Sequence, residues 1–129
     1  MGFNMAWEGT LTTEAECNSL AGENVDATGW VEANKNAWVK QAEAFLTILG
    51  KYDFVTNYAS ISANFKPLLS EYCARYAAMN GILYNQSGYI DANELTDNLQ
   101  VEMMLNAIVM RLRAIEKLIE NQDFINFLT

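Results

Sequence analysis

From Asp91 to Thr129 the chain runs without a glycine or a proline. Nothing in that stretch breaks a helix, and it opens with a start signal. Asp91 is placed to cap a first turn and Glu94 to reach back three residues on, while Ile90 and Leu95 stand at hydrophobic-staple spacing. A helix continuing to about Asn121 is roughly 45 Å long at about 1.5 Å per residue. Its middle, Met103 to Met110, is apolar nearly all the way round, and such a helix has to be covered on most faces. A chain of 129 residues has little else to cover it with, so the pattern points to neighbouring subunits. Assembly, rather than catalysis, is the expectation.

The length suits one domain, 1–129, with a real core. With 51% hydrophobic and 19% charged residues the chain is not disordered. Its apolar runs stop well short of the ~20 residues a membrane span needs. Met1 to Trp7 holds no basic residue and too short an apolar run for a signal peptide. Ala6 stands where a myristoylation site carries Ser or Thr. The expectation is a soluble, unexported protein. Eight basic residues against sixteen acidic ones give a net charge of −8, and no basic cluster exists to displace counterions from phosphate. The nearest thing to one, Arg111, Arg113 and Lys117, is expected to complement the dipole of the last helix together with Glu116 and Glu120. Cys17 and Cys73 lack metal-ligand spacing and read as buried, reduced thiols.

Four helices can be placed, so the fold expected is all-α, a small bundle with a long C-terminal helix and an apolar C-terminal tail. In the first, Thr13 and Glu16 make a capping box and Gly22 ends the turn after Leu20 and Ala21. A turn-rich loop, Glu23 to Gly29, follows. The second runs from about Val31 to Leu49 and stops at Gly50; Trp38, Ala42, Phe45, Leu46 and Leu49 form its core stripe, and Lys35, Asn36, Lys40 and Glu43 are expected to face water. Tyr52, Phe54 and Tyr58 mark an aromatic connector packed under the bundle. The third helix starts near Pro67, the only proline, buries Leu68, Leu69, Tyr72, Tyr76 and Met79, pairs Glu71 with Arg75 outside, and ends at Gly81. Ala74, Ala77 and Ala78 admit a close neighbour.

Histidine is absent, which removes the commonest general base, the Ser-His and Cys-His pairs and most zinc sites. The acidic residues are explained as caps or solvent-facing partners, so no catalytic residue and no cofactor is assigned. One stretch imitates a calcium loop. Asn85, Ser87, Gly88, Tyr89, Ile90, Asp91 and Glu94 fall where an EF-hand has ligands, its glycine and its apolar position. The match fails at its first position, where Leu83 replaces the leading aspartate, so a plain turn at Gly88 followed by a capping box is preferred. Trp38 belongs to a core stripe, whereas Trp7 precedes the first helix and is an interface candidate with Met104, Ile108 and Val109 of the apolar segment. The tail, with Phe124, Ile125, Phe127 and Leu128, either folds back onto its own bundle or docks on a partner.

The order and spacing of these pieces resemble the small helical head–tail connector (adaptor, or head-completion) proteins of tailed bacteriophages. The resemblance is carried by the short leading helix Leu11 to Cys17 and the loop with Gly22, Val25 and Asp26. The helix entered through Ala37 to Leu46, ending near Tyr52, carries it further. So do the helix opening at Lys66-Pro67-Leu68-Leu69 with Tyr72 and Tyr76, and the last helix with its apolar tail. It covers nearly the whole chain, without any single diagnostic motif. It implies a non-enzymatic virion protein, made in the host cytoplasm, that forms a ring of about twelve copies beneath the portal. Such a ring extends the DNA channel and bridges the portal to a tail or nozzle protein. By position, Phe124, Ile125, Phe127 and Leu128 would dock on the portal, and the loop with Asn85, Gln86 and Ser87 would face a ring neighbour or the channel. The net charge of −8 suits a channel wall through which DNA passes without being gripped. The alternative is a degenerate EF-hand-like calcium-binding or helical-bundle regulatory protein.

Overall fold

The structure, a computed structural model, describes residues 6–22, 25, 28–86 and 95–121, with side chains set out to Tyr84 and again from Glu102. In chain order the elements are α1 (Glu14–Ala21), α2 (Glu32–Gly50), a single 3-10 turn (Tyr58–Ser60), α3 (Lys66–Gln86) and α4 (Leu95–Glu120). The fold is the all-α bundle expected, with no strand among the described residues. None of the described helices is long and apolar enough to cross a membrane.

α1 starts where its chemistry requires. Thr13 is extended and its side chain accepts from the Glu16 N–H, and Gly22 closes the helix at φ 61 with its N–H on the Asn18 carbonyl. The Glu16 side chain does not complete the box. It turns to α3 and accepts a hydrogen bond from Ser70 at 2.7 Å. α2 ends at Gly50, and the residue that caps it, Lys51, takes the left-handed conformation usually left to glycine.

α3 is the hub: it packs against α1, α2 and α4, and α2 also meets α4. The alanines explain the closeness, since Ala74, Ala77 and Ala78 are fully buried. Gly81 does not end α3, which runs a further turn to Gln86. A Cβ on Gly81 would stand 2.5 Å from Trp30 Cε3, so this glycine is a seat for an indole inside a continuing helix. The core joins Leu11 and Cys17 to Val39, Ala42 and Leu46 of α2, Leu69, Tyr72 and Cys73 of α3, and Ile108, Leu112, Ile115 and Ile119 of α4. Phe54 is fully buried and Tyr52 and Tyr58 are partly so, as expected of the connector.

The polar side of α2 is the main departure. Lys35, Asn36 and Glu43, expected in water, are buried, whereas Phe45 of the expected core stripe is 43% exposed. The cause is the irregular segment before α1, which lies along α2 and has no helix or sheet to satisfy its backbone. Glu43 Oε2 accepts from the Thr10 and Leu11 N–H groups at 2.7 and 2.8 Å. Asn36 accepts from the Glu8 N–H at 3.0 Å and donates to the Ala6 carbonyl at 3.2 Å. Lys35 pairs with Glu14 at 2.9 Å, donates to Asn18 and lies over the Trp30 ring. Every buried side-chain polar atom among the described residues has a partner.

Candidate functional site: an aromatic groove between α2, α3 and α4

The rotation of α2 that buries Glu43 turns Phe45 outward and opens a groove of about 260 Å³ between three helices. Phe45 forms one wall, Tyr72, Tyr76 and Met79 the floor, and Val109, Leu112, Arg113 and Glu116 of α4 the other wall. Its surface is mainly apolar. The rings form a ladder: Phe45 and Tyr72 lie 6.5 Å apart and nearly parallel, and Tyr72 and Tyr76 lie 6.5 Å apart at 22°. Ile48, one turn beyond Phe45 on α2, is 76% exposed and extends the same apolar face.

Polar links tie the floor of this groove to its α4 wall. The Tyr72 hydroxyl donates to Glu116 Oε2 at 2.7 Å, tying α3 to α4. Burial, and then the facing Glu116 carboxylate, push the phenol well above its ordinary range, so it remains a donor. On the far side of α4, Arg111 binds both oxygens of Glu71 at 2.6 and 2.9 Å, and Arg75 reaches the same carboxylate at 2.7 Å. The Glu71–Arg75 pair is as the spacing predicts. The recruitment of Arg111 is a correction, since its partner is on α3 rather than on its own helix. Glu71 is held down to about 2, first by the hydrogen bond from Arg111 and then, against some desolvation, by that from Arg75.

A second cleft, about 250 Å³, lies between the pre-α1 segment and the start of α3. Ser70 Oγ there donates to Glu16 Oε2 at 2.7 Å and sits 2.9 Å from Thr12 Oγ1, and Lys66 lies over the Tyr58 ring at 4.4 Å. These groups satisfy one another and leave no free nucleophile beside a base. Among the described residues no group of three or more Cys, Asp or Glu converges as a metal site. Cys17 and Cys73 are free and buried; burial pushes the Cys17 thiol up to about 12 and the Cys73 thiol well above its ordinary value.

The interface residues named from sequence are placed unequally. Val109 lines the groove. Met104 is half-buried against the core and Ile108 is 5% exposed within it. Trp7 packs on the core with its indole N–H on the Thr12 carbonyl at 2.9 Å. The segment 103–110 is therefore covered from inside along Ile108 and open along Met103 and Met110, which are 72% and 73% exposed. Leu83, Asn85 and Gln86 lie in the last turns of α3. Ser87 and the rest of the calcium-like loop, Asp91 and Glu94 included, fall outside the described residues, as do Phe124, Ile125, Phe127 and Leu128. Sequence reasoning missed Phe45, Tyr76 and Met79 as a shared surface because each sits on a stripe that reads as core. Comparison with known proteins finds no matching family model, no similar curated protein and no similar solved structure.

Proposed function

We propose that this chain is a non-enzymatic assembly subunit, and specifically a head–tail connector of a tailed bacteriophage that forms a ring beneath the portal. The observation that carries the assembly reading is the groove of Phe45, Tyr72, Tyr76 and Val109, an apolar concavity whose floor is tied to its α4 wall and which the subunit's own described residues leave uncovered. Ring subunits need apolar surface beyond what one bundle hides, and a closed ring repeats a single head-to-tail contact. The order of helices, the proline-opened α3 and the long α4 support the connector as the particular assembly. The net charge of −8 suits a wall along which DNA slides. In this reading the groove receives a ring neighbour and the tail with Phe124, Ile125, Phe127 and Leu128 anchors on the portal.

Co-expression with the portal protein encoded in the same genome is the direct test, read by co-sedimentation and electron microscopy. A stoichiometric ring on the portal is the expected result. Removing residues 123–129 should leave a helical, cooperatively melting subunit that no longer binds portal, and Val109→Asp should block ring closure. A chain that ignores the portal, or a genome without portal or capsid genes nearby, would overturn the connector reading. If the deletion melts the bundle instead, the tail belongs to the subunit's own core and the anchor assignment is wrong.

A further inference from the structure

α4 is apolar on two opposite sides. Ile108, Leu112, Ile115 and Ile119 enter the core, while Met103, Ala107, Met110 and Ala114 run along the outside at spacings of four, three and four, all exposed. We infer that this outer stripe seats a second copy of the chain, the two α4 helices lying antiparallel about a two-fold axis level with residues 108–109. The residue order selects the direction. Reversal about that level carries 103 onto 114 and 107 onto 110, so each methionine meets an alanine of the partner copy. A parallel pair would set methionine against methionine and alanine against alanine, with a bulge at one level and a gap at the next.

Charge selects the same direction. Glu102 stands at one end of the stripe and Arg113 and Lys117 toward the other; all three are exposed and have no ion pair among the described residues. Antiparallel pairing brings Glu102 of one copy beside Arg113 and Lys117 of the other, twice over. Parallel pairing would oppose like charges. One self-complementary patch supplies both halves of such an interface. The four residues span only about 17 Å, short of a standard interface, which puts the pairing in the weak, transient class. The contact is two-fold and distinct from the head-to-tail contact of a ring, so it does not rest on the connector reading.

Sedimentation equilibrium of the whole chain from about 10 µM to about 1 mM tests the pairing across the range where such small interfaces associate. A monomer–dimer equilibrium is expected, with Met110→Glu lowering the association constant at least about tenfold at unchanged helicity. Met110 is exposed, so this variant folds. Glu102→Lys should weaken the dimer, and adding Arg113→Glu and Lys117→Glu should restore it. A nitroxide at Glu120→Cys, with both native cysteines buried, should report an inter-copy separation of about 36 Å, against about 10 Å for parallel helices. A chain that stays monomeric at about 1 mM, any oligomer indifferent to Met110→Glu, or the short distance would overturn the inference.

Discussion

Glu43 is the residue whose removal should unsettle the molecule most for the fewest atoms changed. The residue is 6% exposed and its carboxylate accepts two backbone N–H groups, from Thr10 at 2.7 Å and Leu11 at 2.8 Å. Hydrogen bonds to a charged group contribute about 1.5–3 kcal/mol each, and a buried donor stranded by deletion costs a comparable amount. Part of that is recovered if the segment 6–12 lifts into water, but Leu11, 1% exposed, then leaves the core. Glu43→Ala is therefore expected to cost about 3–5 kcal/mol, a large share of the 5–15 kcal/mol typical of a domain. Glu43→Gln keeps one acceptor oxygen and should cost only about 1–2 kcal/mol. Urea unfolding followed by circular dichroism measures both. Because Leu11→Ala loosens the same segment, its combination with Glu43→Ala should cost less than the sum of the two. A Glu43→Ala cost below about 0.5 kcal/mol, the level of an ordinary surface change, would refute the account of why α2 is turned as it is.

Gly81→Ala forces a Cβ to within 2.5 Å of the Trp30 ring, and although alanine favours a helix, the clash should win by about 1–2 kcal/mol in urea unfolding and shift the Trp30 fluorescence. Lys51 holds φ 54 at the end of α2, so Lys51→Gly should raise stability by about 0.5–1 kcal/mol, read as a higher melting temperature. Glu71 has its folded pKa lowered from 4.5 to about 2, so the stability it contributes is present above pH 4.5 and lost as pH falls toward 2. The melting temperature should drop across that window, less steeply in Glu71→Gln and in high salt, because the Arg111 side of the pair is solvent-exposed.

The elements were legible where local chemistry decides them. Thr13 and Gly22 bound α1 as read, the single proline sits in the first turn of α3, the apolar 3.6-residue period located α2, and the unbroken run without glycine or proline located α4. Gly81 was misread because glycine's absent side chain has two uses that look alike in sequence. It can end a helix, or it can let a ring approach a helix that continues, and only the position of Trp30 decides.

The orientation of α2 shows why the groove itself could not be read. Periodicity ranks faces by side-chain polarity and assumes that the polar face meets water. Here a chain segment with no secondary structure of its own lies on that face, and its unpaired amides make Asn36 and Glu43 better buried than exposed. An irregular segment has no period, so its demand for acceptors leaves no signal until it is folded. Burying that polar face turns the opposite edge of α2 outward, and Phe45 is left beside Tyr72 rather than under it. The groove is thus the far side of a backbone-satisfaction problem at the N-terminal segment, and the two are coupled. If the segment releases, as in Glu43→Ala, α2 is free to roll Phe45 inward and close the groove. Partner binding should then fall in that variant by more than its fraction unfolded predicts. Binding that merely tracks the folded population would show that the groove is set by α3 and α4 alone.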